Sequence, residues 1–311
     1  VHHFENEKKV FPTVHHAYRL LLMTLGRADR ADLVFFARQV GALAVAERHV
    51  SLAPSDFAIL NPNTRTCPTF RSRRDADINL ALYRHAGVLW REDDPAGNPW
   101  GLRFMPMFHM ANDSGLFRTR AELEAASWLR DGNQYGLDKK RMLPLIEAKM
   151  VHQFDHRFGT YDGQTDAQSN QGKLPELDDG DHADPFRVTH PYYWVAASEV
   201  ADRLHGRWSQ GWLLGWRDIT GTEKQRTVIA SLIPRAGTGD TFLLAMPSVD
   251  ARVVACLYAN LCALALDYAA RQKVGGTHIK YHTFKQLPVM PPSAFSAPAS
   301  WTPTRSLREW I

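Results

Sequence analysis

From Tyr268 through Arg308 this chain has no aspartate and no glutamate. It has only three cysteines, Cys67, Cys256 and Cys262. Three thiols form no even disulfide framework, and their spacing is not that of a metal-binding pair. A disulfide-stapled secreted domain and a zinc module are therefore excluded, and a reducing, cytoplasmic setting is expected. Cys256 and Cys262 lie in an apolar run, where buried thiols belong. That run, Val253 to Leu266 with Asn260 inside it, is the longest in the chain and too short to cross a bilayer, so no membrane partner is expected. No secretory signal opens the sequence. A phosphate-cradling loop is missing as well, because "GTGDT" at 237–241 lacks the lysine and the strand–helix setting. An enzyme that methylates amino groups needs Asn/Asp/Ser-Pro-Pro-aromatic, and "NPNT" (61–64), "HPYY" (190–193) and "MPPS" (290–293) all fail that pattern. No catalytic residue, cofactor-binding residue or metal ligand is assigned.

What is present is an ordinary globular composition. Of 311 residues, 44% are hydrophobic and 23% charged, enough for a sizeable core and for two domains. The net charge of +4 is too small to name a partner, but its distribution is uneven. Residues 176–184 are crowded with acids, whereas the acid-free stretch carries Arg271, Lys273, His278, Lys280 and Lys285.

Along the chain, the apolar run Leu20–Leu25 suits a buried strand, and "DLVFFARQVGALAVAE" reads as a short helix. Asp75–His85 reads as a helix with Ile78, Leu82 and Tyr83 on its buried face. Thr119 and Glu122 have the spacing of a capping box, so a helix should begin there. Residues 159–191 read as a long polar loop. "RTVIASLIP" (226–234) reads as a strand ending at Pro234. Residues 250–274 read as one long helix, apolar nearly all round and so buried, stopped by Gly275 in a left-handed conformation.

Candidate chemistry is concentrated in basic clusters. "RSRRD" brings Arg71, Arg73 and Arg74 together. "KMVHQFDHRFGTY" offers Lys149, His152 and Arg157 beside Phe154, Phe158 and Tyr161. Arg217 and Arg226 flank a turn that leads into the 226–234 strand. Arg271, Lys273, His278 and Lys285 follow the apolar helix. Such groups neutralise phosphates, and Arg and Lys read guanine edges. Taken singly, each also suits a solvated surface or a helix C-terminus. Four clusters with interleaved aromatics favour nucleic acid. His152 and His156 would share a helix face as metal ligands can, but no third ligand has a recognisable spacing.

The wording of four long phrases is more specific. "NPNTRTCPTFRSRRDADI", "MVHQFDHRFGTYDGQTDAQSNQGKLPEL", "GWLLGWRDITGTEKQRTVIASLIP" and "LDYAARQKVGGTHIKYHTFKQLPV" occur in this order. They closely resemble the region that follows the catalytic domain in large adenine-specific DNA methyltransferases, the Type IIG restriction–modification enzymes and the methylases of BREX and DISARM phage defence. The resemblance implies an α+β fold in which a target-recognition-type mixed sheet is braced by a long buried helix. It implies a methyltransferase-domain remnant at 1–58, where "FENEKKVFP" matches a frequent family phrase, and a connecting region at 59–140. A DNA target recognition domain at 141–292 and a linker at 293–311 would follow, in a chain that is part of a longer polypeptide. The implied partners are double-stranded DNA, the parent's methyltransferase domain and other defence-system proteins. S-adenosylmethionine would serve the parent enzyme, with no cofactor held by this chain. The phrases around Arg217–Arg226 and Arg271–Lys285 are expected to converge at a DNA-facing edge.

Two rival readings stand beside this one. Asp138, Glu147 and Lys149 faintly resemble the carboxylates and lysine of a metal-dependent nuclease. Alternatively, the 159–191 loop docks a protein partner of a defence complex and DNA is never touched.

Overall fold

The computed structural model describes all residues from Val1 to Ile311. It is a mixed α+β fold with several sheets and ten helices. The chain divides into two compact units, one of Val1–Pro99, Ala263–Gly276 and Tyr281–Ile311, the other of Trp100–Cys262 and Thr277–Lys280. These limits differ from the sequence-based ones. The expected cut at 58/59 falls inside the helix Pro54–Leu60, that at 140/141 inside a strand, and that at 292/293 inside the short helix Pro292–Ser296.

In the first unit, β1 (His2–Glu5), β2 (Arg19–Leu22), β3 (Ala31–Ala37) and β4 (Val50–Leu52) form a sheet in the order β2-β1-β3-β4. β1 and β3 run parallel and the other pairings are antiparallel. β2 is the expected strand, but it lies at the sheet edge and is not buried: Leu21 and Leu22 are both more than half exposed. The expected helix at 32–47 is instead β3, whose Leu33, Val34, Phe35 and Ala37 are buried, followed by the 3-10 turn Val40–Ala44. A short apolar run bounded by polar residues does not separate strand from helix, and the consecutive aromatics tip it to strand. The helix Arg73–Ala86 starts at Ser72, whose side chain accepts from the Asp75 amide. Its buried stripe is Ala76, Asn79, Leu80 and Tyr83, and Ile78 faces outward.

The second unit holds two sheets. β5 (Arg103–Met105), β11 (Trp212–Arg217), β12 (Ala230–Pro234) and β14 (Phe242–Met246) pair antiparallel in the order β12-β11-β14-β5. The other sheet is β6 (Phe117–Thr119), β10 (Tyr193–Ala196), β9 (Lys140–Ile146), β8 (Gln134–Leu137) and β7 (Leu129–Asp131) in that order, with β13 (Gly237–Thr238) parallel to β9. Leu213, Ile233, Phe242, Leu244 and Met246 from the first sheet share a core with Phe117, Leu145, Ile146 and Val195 from the second. Gly215 allows β14 to approach, since a Cβ there would lie 2.6 Å from both the Leu243 carbonyl and the Phe242 ring. The capping box at Thr119 and Glu122 is formed, and the helix Arg120–Ala125 follows it.

The long buried helix is broken. Ala251–Leu261 is helical and packs against β12, and Leu264–Lys273 is a second helix that begins after an extended Ala263. The first helix belongs to the second unit and the second to the first. The second ends through Val274 in an extended conformation, and Gly275 is not left-handed. No single helix is long and apolar enough to cross a membrane.

Candidate nucleic-acid interface

At its C-terminal end, β11 runs on into Asp218–Thr220, which is held from two sides. On one side the Arg217 amide donates to the Ile229 carbonyl (2.9 Å), and the Thr220 hydroxyl donates to the Thr227 carbonyl. On the other side the Thr220 amide donates to the Thr277 carbonyl (2.9 Å), and the Ile279 amide donates to the Asp218 carbonyl (2.8 Å). The four residues Thr277–Lys280 thus form a short clamp along this edge. Trp216 anchors it from beneath, its indole N–H donating to the Ile279 carbonyl at 2.8 Å.

Electrostatics reinforces the clamp. Asp218 is buried, and its Oδ2 accepts from His278 Nδ1 at 2.8 Å and from Lys280 Nζ at 2.6 Å. Both side chains are about half exposed. A buried carboxylate needs such partners, and here they arrive from a segment far along the chain.

Beside this edge lies a cleft of about 690 Å³ lined by Glu147, Lys149, Phe158, Lys173, Arg217 and Lys224, among others. Arg217 is turned inward: its Nε donates to the Val151 carbonyl at 2.8 Å, and its guanidinium lies 5.4 Å from the Phe158 ring centre. Burial lowers its pKa to about 10, so it stays charged at neutral pH. Lys149 sits 4.8 Å above the Tyr161 ring and 3.7 Å from Glu147, whose other oxygen accepts from the Tyr161 hydroxyl at 2.6 Å. The His152 ring packs on Phe158 at 4.9 Å, and burial, then Arg217, then Arg226 hold its imidazole below the ordinary range. One guanidinium nitrogen of Arg226 is buried with no partner.

Lys149, His152, Arg217, Arg226 and His278 therefore meet in the second unit. Of the 271–285 phrase, 277–280 pairs with the strand end at 218–220, whereas Arg271, Lys273 and Lys285 belong to the first unit with Arg71, Arg73 and Arg74. Several of these are occupied by internal bonds. Lys273 Nζ donates to the Leu60 and Gln286 carbonyls and lies 4.4 Å from the Tyr83 ring centre. Burial drives its amine well below its ordinary range. Arg271 bonds Asp267, and Lys285 bonds Glu92 above the Trp90 ring. Arg73 donates to the His49 and Ala46 carbonyls, Arg71 stacks over Phe36, and Arg74 is exposed. In the second unit, Arg157 donates to the carbonyls of His182, Asp184 and Arg187 and so pins the polar segment 159–191. That segment also contains the capped helices Asp166–Asn170 and Asp179–Ala183.

His152 and His156 are not on a helix: His152 and Asp155 exchange backbone bonds across a tight turn. No group of three His, Cys, Asp or Glu side chains is placed to hold a metal. Asp138 lies in the turn before β9 and Glu147 just after it, so at ~3.3 Å per residue they are roughly 30 Å apart, too far to share an ion. Asp218 is the residue sequence reasoning missed, and Lys280 was read as part of the acid-free basic stretch without being assigned a contact. The signal was the lone acid of "RDITGT" facing an acid-free tail. No family model matches this chain, and neither a curated protein nor a solved structure does.

Proposed function

We propose that the second unit reads double-stranded DNA, as the target-recognition part of an adenine-specific DNA methyltransferase of a restriction–modification or phage-defence system. The observation that supports this most is the meeting of Lys149, His152, Arg217, Arg226 and His278 around one strand end, beside a cleft with an aromatic wall. The exposed cations Lys280 and Lys173 suit phosphates, which set register, and His278 offers a ring donor or acceptor beside them. Glu147 and Lys149, held together on Tyr161, offer an acceptor and a donor of the kind that distinguish base edges. In this reading the two-sided clamp fixes the donors before DNA arrives, which reduces the ordering cost of binding.

The reading places the protein in the cytoplasm, with a methyltransferase domain and other defence proteins as its partners. S-adenosylmethionine would supply the methyl group of the larger enzyme. The cleft beside Phe36 in the first unit does not fit that cofactor. It has one carboxylate, Glu5, already engaged by Arg38 and Arg19, so no acid is left for ribose hydroxyls. No step is assigned through it.

The test is fluorescence anisotropy on a duplex of randomised sequence at low salt. Arg226→Gln combined with His278→Gln should weaken binding about tenfold, the worth of ~1.4 kcal/mol. Unchanged affinity in a folded double variant removes this edge as the interface.

A further inference from the structure

The opposite end of β11 carries a second cleft. With β11 spanning Trp212–Arg217, its two ends lie roughly 17 Å apart at ~3.3 Å per residue, so this cleft is separate from the edge described above. It has a volume of about 580 Å³ and opens between the turn 205–210, Arg235 after β12, and the start of the helix Ala251–Leu261. That size is typical of small-molecule sites. Its lining includes Arg103, Arg207, Arg235 and His205, and no aspartate or glutamate.

The three arginines have different duties. Arg103 donates to the Gly206 and Arg207 carbonyls and so braces the turn, which passes through Gly206 at a φ of 66°. The Arg207 guanidinium has the Met105 sulfur, 3.9 Å from Nη1, as its hydrogen-bond partner and pairs with no carboxylate. Arg235 uses its amide on the Gly211 carbonyl, while its guanidinium makes no hydrogen bond or ion pair. Elsewhere in the same unit, Arg120, Arg187 and Arg203 each hold a carboxylate. Beside the two unneutralised guanidiniums, Trp208 and Trp212 pack edge to face with centroids 5.0 Å apart, and the Trp208 indole N–H donates to the Trp212 carbonyl. The aromatic wall is thus fixed in place.

We infer that this cleft binds a nucleoside phosphate, its phosphate between Arg207 and Arg235 and its base against the Trp208–Trp212 pair. A phosphate presents the oxygens that two guanidiniums match, and a flat base covers indole surface. A bare inorganic anion would leave the tryptophans unused, and a neutral heterocycle would leave two cations unneutralised. Ser209, Gln210 and Ser248 line the same space and provide neutral donors and acceptors for the sugar and base. The nucleotide is either free or one unit of a strand, and the recognition chemistry is the same. The assignment does not depend on the DNA-reading edge.

The intact chain is titrated with the four nucleoside 5′-monophosphates, ribose 5-phosphate, inorganic phosphate and a short single-stranded oligonucleotide, by calorimetry and tryptophan fluorescence. At least one monophosphate should bind saturably and quench fluorescence, with ribose 5-phosphate and phosphate at least tenfold weaker and without quenching. Arg207→Gln with Arg235→Gln should weaken binding at least tenfold, whereas Lys139→Gln, an exposed charge control, should not. Circular dichroism confirms that each variant is folded. Oligonucleotide binding with the same arginine dependence, in the absence of monophosphate binding, assigns the site to a strand. Saturable binding by neither, or binding unchanged in the folded double variant, overturns the inference.

Discussion

At the residue scale, the positions that a sequence marks as contacts and those that a fold spends on itself need not differ in type. Lys273 is the sharpest case. Its amine reaches two carbonyls and an aromatic ring inside the first unit, so Lys273→Ala leaves the buried Leu60 carbonyl unpaired, while the Gln286 carbonyl keeps the Tyr83 hydroxyl. The expected outcome is a loss of about 1–3 kcal/mol in urea denaturation with no change in DNA affinity per folded molecule. Weaker DNA binding at unchanged stability would return Lys273 to the interface. Acid sensitivity is argued at the same scale. His190 is buried and faces Arg130, and burial holds its imidazole well below 6.5 despite Asp162 nearby. His152 and His156 are lowered mainly by burial as well, but His156 is exposed, so solvent screening discounts its share. A group whose folded pKa is depressed binds fewer protons folded than unfolded just below pH 6.5. Its contribution is thus complete above that pH and lost as pH falls, at up to about 1.4 kcal/mol per unit of depression. His182 is raised by the Asp178 carbonyl and Asp155 and runs the other way, but it is more exposed than the buried His190 and counts for less. Urea midpoints should therefore fall between pH 7 and pH 5, and His190→Gln should flatten that slope. An unaltered slope in the variant contradicts the assignment.

At the element scale, the clamp formed by Thr277–Lys280 on Asp218–Thr220 is the central feature. Asp218→Asn removes the charge that holds His278 and Lys280 while keeping the shape. Because both partners are half exposed, the stability cost should be modest, about 1–2 kcal/mol. Hydrogen exchange at the Ile279 amide should accelerate, and unchanged protection there would mean that the backbone pairing alone holds the segment. This scale also shows what the sequence made legible. The cap at Thr119, the strand end at Pro234 and the helix in "ARVVACLYANL" were readable because each has a local cause: a side chain on an amide, a proline, an apolar stripe. The strand's expected start at Arg226 was not met, since it begins at Ala230 and leaves the β-branched Thr227–Ile229 outside. The break at Ala263 was not readable, since "NLCALAL" has neither glycine nor proline and the interruption is a tertiary effect. β2 was readable as a strand but not as an edge, because burial depends on neighbours that a short apolar run does not name. The buried stripe of the helix Arg73–Ala86 was missed because Asn79, which bonds the Asp75 carbonyl, lies within it.

At the scale of the whole molecule, two compact units form from a chain that leaves the first at Pro99 and returns after Cys262. The basic clusters divide between them in a way that linear order concealed. Arg71, Arg73, Arg74, Arg271, Lys273 and Lys285 serve the first unit, while Lys149, His152, Arg217, Arg226 and His278 gather in the second. DNA reading by the second unit is the central claim, and a salt titration tests it most directly. Affinity for a randomised duplex, measured by anisotropy from low to moderate salt, should fall linearly on a log–log plot with slope near about −0.9 per phosphate neutralised. Loss of the Arg226 charge should make that slope shallower. Absence of measurable binding at low salt, or an affinity indifferent to salt, contradicts the account.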